Sequence, residues 1–428
     1  MADITMEDGE SVKEQQFEAI ESVMETDPQT AIGRFKEMLK GRAIDQPLDI
    51  WQERAAFRLM KLYAHVGDSG ALISLLQDLR RSFDVFSKSK RESYVKTIFD
   101  KLQLIPGTEE EQITICEEYI EYFKEDKRSF LRQRFETKLA ALLSKKGEYP
   151  RALQLLSSLQ SELKKLDDKL LLVELFLIES RTHHALNNLA KAKSTLTAAR
   201  SNANAIYVGV QLQAEIDMQS GTLNAEEKDF RTSFSYFLEA HEGFMSKDDS
   251  TNGLQCLKYM LLSKIMNGQG DEVHAILNAK NSIQFVDDEA IVMLKEVAKA
   301  YKDLSLAKFT LILEKSQDIV NADLLLKTHL SDLRNELLEQ NLVRIIEPYS
   351  RVEIDRVAEL INLPAEQVLS KLSQMILDKK FRGILDQGTM ELIVFEDPIA
   401  DSTYEDSLTA IQNMGHVVNN LVRRAKVG

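Results

Sequence analysis

The 428-residue sequence predicts a mainly α protein. The expected order is a right-handed, TPR- or HEAT-like helical-repeat solenoid, then a winged helix, then one C-terminal helix. Three observations predict it. Helix breakers are sparse. Small residues that open apolar helical patterns recur about every forty positions. Near the end, the pattern changes to helix, turn, helix and two short strands.

Composition supports the first point. Only 17 Gly and 7 Pro occur, against abundant Leu, Ala, Glu, Lys and Gln, which lose little rotamer freedom in a helix. The net charge of −14 sets the surface against phosphate backbones and suits a chain that meets other proteins. Residues 1–10 hold Asp3, Glu7, Asp8 and Glu10 with no Lys or Arg, which predicts an acidic disordered tail and no secretory or transit peptide. No run of about 18 apolar residues is present, so no membrane contact is expected. Cys116 and Cys256 lie too far apart in the chain for a metal-ligand motif and form no disulfide framework, which points to a reducing compartment.

Residues 11–300 predict the solenoid. Helices are expected to open at Asp27-Pro28, at Gly67-Asp68-Ser69, near Glu110, at Gly147-Glu148-Tyr149-Pro150, at Asn188-Leu189, at Phe230 and at Gly270-Asp271-Glu272. Two helices of about 15 to 17 residues with two turns make a unit of about forty, between tetratricopeptide and HEAT lengths. A small residue at a fixed place lets the second helix of a pair approach the first. Leu153, Leu155, Leu156 and Leu159 form one apolar face. Leu170 through Ile178 is nearly continuous, which predicts a helix covered on several sides. Leu257, Met260, Leu261 and Ile265 repeat the helical spacing. A single pair cannot hide such faces, but stacked pairs can.

Residues 349–396 predict the winged helix. Tyr349 to Val352 reads as a short strand. Ile354, Val357, Ala358 and Ile361 share a helix face, Pro364 follows the turn, and Val368, Leu369, Leu372, Met375 and Ile376 line the second helix. Residues 381–387 and 391–395 then predict a hairpin, with Gly388 supplying turn freedom. Many such folds bind DNA. Here the segment carries six basic and eight acidic residues, and the second helix offers no Arg to a guanine edge. No nucleic acid is expected.

Residues 397–428 predict one more helix. Tyr404, Leu408, Ile411, Met414, Val418 and Leu421 fall on a narrow apolar stripe. A stripe of that kind on a terminal helix suits an intermolecular helix bundle.

The chain contains no phosphate-binding loop, no H-E-x-x-H and no G-x-S-x-G elbow. His183 and His184 are adjacent, so their rings diverge by about 100° on a helix and do not share a metal. Cys116 sits beside Glu117 and Glu118, which disfavours a thiolate. No catalytic residue, metal, cofactor or small-molecule substrate is expected.

Three segments carry a family resemblance: KYMLLSKIM at 258–266, LLEQNLVRIIEPYSRV at 337–352, and KLSQMILDKKFRGILDQG at 371–388. Together they resemble the PCI-domain family, and within it the lid subunits of the proteasome regulatory particle. The resemblance implies a PCI module over 301–396 and a scaffold without catalytic activity. It implies a winged helix that packs edge-on against other PCI subunits, which singles out Tyr349, Arg351, Lys379, Lys380, Arg382, Leu392 and Val394. It also implies a tail in a bundle of lid helices, an N-terminal arm reaching the ATPase ring and the core-particle α-ring, and a cytoplasmic and nuclear location. A signalosome subunit, or a subunit of a translation-initiation complex, shares the plan. A DNA-binding regulator rests on the helix-turn-helix alone.

Overall fold

A computed structural model describes residues 17, 19–21, 27–40, 50–80, 88–102, 105, 107–125, 128–361, 363–386, 388–395 and 403–427. The expected acidic tail at 1–10 lies outside the described residues. The chain divides into two compact units, Met1–Gln219 and Ser220–Gly428.

The first unit is a succession of helices: α1 (Pro28–Lys40), α2 (Ile50–Val66), α3 (Ser69–Arg80), α4 (Lys88–Leu102), α5 (Glu109–Glu125), α6 (Ser129–Lys146), α7 (Tyr149–Leu166), α8 (Lys169–Ala185) and α9 (Leu189–Asn204). Helix α10 (Val210–Glu226) spans the division. The second unit continues with α11 (Phe230–Met245), α12 (Ser250–Met266), a 3-10 turn (Gly270–Glu272) and α13 (Val273–Leu277). A second 3-10 turn (Ile283–Phe285), α14 (Glu289–Lys302), α15 (Leu306–Lys315), α16 (Gln317–Ala322) and the long α17 (Leu324–Ile346) follow.

Helix starts from Glu109 to Ser250 fall about twenty residues apart, which is half the expected forty-residue unit. The turns explain the register. Gly67, Gly147, Asp167, Asn187, Lys228, Asp248 and Gly268 each take a positive φ at a helix end. At all of these but Asp167 the next residue donates its N–H back to the closing helix, as Glu148 does to Leu143 (3.0 Å) and Asp249 to Phe244 (3.2 Å). Each such turn is a left-handed helix stop. At most of these turns that same next residue then caps the following helix. Asp168 accepts from the N–H of Leu171, Asn188 from Lys191, Asp229 from Thr232 and Asp249 from Asn252.

Burial pushes the Asp249 carboxyl up, but hydrogen bonds from Asn252 and Thr251 outweigh it and hold the group below the usual carboxylate range. A depressed carboxyl stabilises the fold above its unfolded value, and that contribution is lost as pH falls through the folded value. Asp249→Ala is therefore expected to cost about 1 kcal/mol at neutral pH. The deficit should shrink toward zero once acid protonates the parent residue. Thermal melts of both proteins across that acid range check it.

Helix pairs approach closely at the small positions. Ala31, Ala152, Ala192 and Ser233 have no solvent exposure. Short polar side chains reach the facing backbone: Ser180 Oγ donates to the Ala192 carbonyl (2.8 Å), and Ser233 Oγ to that of Gly221 (2.9 Å). His241 Nδ1 donates to the Gly253 carbonyl at 2.9 Å. The predicted faces are buried in part: Leu153, Leu155 and Ile178 are half-buried, and Leu170, at the start of its helix, is exposed. Leu156 and Leu159 meet Leu171, Leu172, Leu175 and Phe176 in one cluster.

The step at Gly270 differs from expectation. It yields a 3-10 turn and a five-residue helix in place of a full one. Asn278, Asn281 and Ser282 follow at once, and such residues hydrogen-bond their own backbone at the expense of the helix.

After α17 come β1 (Arg351–Glu353), α18 (Ile354–Ile361), α19 (Ala365–Leu377), β2 (Gly383–Asp386) and β3 (Glu391–Val394). The sheet is antiparallel with order β1-β3-β2. This is the strand, helix, turn, helix, hairpin arrangement expected of a winged helix. Its core joins Leu342 and Ile346 of α17 to Ile354, Val357, Val368, Leu372, Met375 and Leu392. Gly388 does not supply the hairpin's turn freedom. The positive φ belongs to Met390 (55°), and the Asp386 carboxylate accepts from the N–H groups of Gly388 (2.8 Å) and Thr389. The chain ends in α20 (Thr403–Val427).

Candidate partner-docking surfaces

Helix α20 has 25 residues, and all of its side chains that the structure describes are exposed. Leu408 is 45 % exposed, Ile411 and Met414 67 % each. Tyr404, Val418 and Leu421 are exposed as well. Val417 and Val422, which the sequence reading passed over, join them. At about 100° per residue, the apolar positions from Tyr404 to Val422 cover an arc of about 140°, with Val417 just beyond it. That is broader than the narrow seam read from sequence. A two-stranded seam needs only the a and d positions, whereas a broader face suits contact with more than one neighbouring helix.

The residues predicted for the winged-helix edge do not form one surface. Strands β1 and β2 occupy opposite edges, with β3 between them. Tyr349 and Arg351 lie at the β1 edge, both exposed, with Arg351 Nε 3.6 Å from Glu391. Lys379, Lys380 and Arg382 lie between α19 and β2. Leu392 is a correction: it is 0 % exposed at the centre of the domain core, because the middle strand turns this residue onto the helices. Val394, two residues on and on the same face, packs against that core and is half-buried. The exposed apolar residues here are Tyr349, Leu360, Leu377, Ile384 and Phe395. Alternation along β2 was the available signal for Ile384.

Local electrostatics also weigh against a phosphate-binding role. Glu339 of α17 takes Lys371 Nζ at 2.8 Å and Lys380 Nζ at 3.8 Å. Two of the domain's few bases are thus neutralised from within.

Cys116 and Cys256 are fully buried, and burial pushes both thiols up to about 12. Glu117 adds to the effect at Cys116. Neither is expected to react with a maleimide at neutral pH until the fold is denatured, when two thiols per chain should titrate. His183 is buried 3.9 Å from Glu179, and burial lowers its pKa, so the ring is neutral at pH 7. Among the described residues no group of three or more metal-ligating side chains comes together, and no helix is long and apolar enough to cross a membrane.

Two family models match the chain. One, described as the 26S proteasome regulatory subunit RPN6 N-terminal domain, covers residues 13–146; the other, the PCI domain, covers 313–396. A 26S proteasome non-ATPase regulatory subunit 11 homolog from Arabidopsis thaliana is 51 % identical over 357 residues, spanning 83 % of this chain and 85 % of its own. A probable 26S proteasome regulatory subunit rpn6 from Schizosaccharomyces pombe is 43 % identical, spanning 94 % and 95 %. The chain belongs to the 26S proteasome non-ATPase regulatory subunit 11 (RPN6) family. A subunit 11 from Dictyostelium discoideum, 44 % identical over 93 % of this chain, is a further member. The N-terminal match stops at the end of α6, just before the left-handed Gly147. The PCI match begins within α15 and takes in α17, whose Leu342 and Ile346 complete the winged-helix core.

Proposed function

We propose that the chain is a non-catalytic scaffold subunit of the 26S proteasome regulatory-particle lid. It braces the lid against the ATPase ring and the core-particle α-ring during ubiquitin-dependent degradation, in the cytoplasm and the nucleus. The observation that carries this reading is α20, a 25-residue helix whose apolar face has no cover in the isolated chain. An exposed contiguous apolar surface of this kind marks an interaction site. The relatives' names identify them as regulatory subunits of the 26S proteasome, which supports the choice of assembly.

Three regions divide the labour: a solenoid over 11–300, a PCI module over 301–396 and a tail helix over 397–428. Tyr404, Leu408, Ile411, Met414, Val418 and Leu421 enter a bundle with the tails of other lid subunits. Tyr349 and Arg351 on one side, with Lys379, Lys380 and Arg382 on the other, meet neighbouring PCI modules. Chemistry has no place in this role. The two thiols are held protonated, and the buried His183, His241 and His329 are held neutral by burial.

Crosslinking of native complexes followed by mass spectrometry tests the proposal. Crosslinks from α20 and the PCI module to other lid subunits are expected, and from the solenoid to ATPase and α-ring subunits. Recovery with a cullin-deneddylating assembly that lacks the core peptidase would overturn it.

A further inference from the structure

A groove of about 360 Å³ opens between α4 and α6, bounded at one end by the last turns of α5. Its floor is aromatic: Phe123 and Phe135 are buried. Its rim is cationic, with Lys96 from α4 and Arg134 and Lys138 from α6. Phe130 stands beside it at 54 % exposure, with the Arg134 guanidinium 5.5 Å over its ring. Lys138 Nζ lies 4.5 Å from the Phe99 ring centre and 5.9 Å from that of Phe135. Asp100 answers Lys138 at 2.7 Å. On a chain of net charge −14, this groove is lined by three bases and no acid.

We infer that the groove docks an acidic segment of a partner protein carrying one bulky apolar side chain. Charge complementarity commits the occupant. The apolar side chain sits on the Phe123 and Phe135 floor, and flanking carboxylates meet Lys96 and Arg134. The wall from Phe130 to Lys138 rises about 12 Å along the helix, which matches about four residues of extended peptide. Single-stranded nucleic acid fits less well. The floor phenylalanines are packed into the core and not free as stacking platforms, and the surrounding acidic surface repels a polyanion. The inference is independent of the lid role, since it concerns the isolated chain.

Fluorescence anisotropy with the purified full-length chain tests it. The probe is a fluorescein-labelled hexapeptide, Glu-Asp-Ala-Phe-Asp-Glu. Comparison probes replace the acids by Lys, or Phe by Ala. The acidic apolar probe is expected to bind at least about tenfold more tightly than either, and added salt should weaken it. Lys96→Glu and Phe130→Ala are each expected to lower its affinity about tenfold or more, in the range of a hot-spot truncation. Both residues are exposed, so circular dichroism melts should not move. Equal binding by parent and variants, equal binding of the acidic and basic probes, or tighter binding of a ten-nucleotide oligo-dT would each overturn the inference. A chain lacking residues 1–10 that binds the probe tenfold more tightly would assign the groove to the chain's own acidic segment, overturning the external occupant.

Discussion

Leu408→Asp is expected to leave the isolated protein folded and to exclude it from the assembled proteasome lid. Leu408 is exposed on α20, so the new carboxylate stays hydrated and the melting temperature of the free chain should be unchanged. In a helix bundle the same position loses water on all sides. An unpaired charge buried at an interface costs about 2–5 kcal/mol. That range corresponds to a loss of roughly 30- to several-thousand-fold in affinity, at about 1.4 kcal/mol per tenfold. Deleting residues 402–428 should have the same consequence. Asn420, about 170° from the centre of the apolar arc, is the control: Asn420→Asp should incorporate normally. Quantitative mass spectrometry of purified complexes from cells expressing each variant reads the result. Normal incorporation of Leu408→Asp would show that the apolar face of α20 is not buried on assembly.

The tail helix was legible in the sequence because its pattern is local. Spacings of three and four between apolar residues report a helix face wherever that helix lies, and the stripe from Tyr404 to Leu421 needed no knowledge of the rest of the fold. The helix starts were legible for a related reason. Gly67-Asp68 and Gly147-Glu148 combine a left-handed stop with the next start in adjacent residues. The winged-helix edge was not legible. Which strand lies in the middle depends on pairing between Arg351 and Ile393, forty-odd residues apart, and Leu392 was read as a surface residue because nothing near it in sequence says otherwise. The short helix after Gly270 is not legible from the repeat spacing, which points to a full helix; the run of Asn and Ser behind it is the only local signal against one. The groove beside Phe130 could not be read at all. Lys96, Phe123 and Arg134 meet only when α4, α5 and α6 pack.

Gly221→Ala gives the second large effect, and its sign runs against helix propensity. Gly221 lies within α10, where an exposed Gly-to-Ala change would stabilise by about 1 kcal/mol. Here an added Cβ would lie 2.7 Å from both Cδ1 and Cε1 of Phe237. Neither side can yield cheaply. The Phe237 ring is fully buried, 5.2 Å from the ring of Tyr259. The Gly221 backbone is held by the hydrogen bond that its carbonyl accepts from the buried Ser233 hydroxyl. Retreat of α10 would break that bond and leave the Ser233 hydroxyl only the longer contact with the Ser263 hydroxyl at 3.4 Å. The expected cost is about 1–3 kcal/mol, in the range of an overpacked core. Phe237→Ala alone should cost about 3–5 kcal/mol by opening a cavity. The two changes share one space, so they should not add. In the double variant the methyl group added at position 221 no longer meets a ring and fills part of the void. Its cost should fall at least about 1 kcal/mol short of the sum, as expected for residues in direct contact. Denaturant unfolding of the parent, both single variants and the double variant measures this coupling. Additive losses, or a Gly221→Ala protein as stable as its parent, would mean that α10 and α11 are not in the tight contact this packing requires.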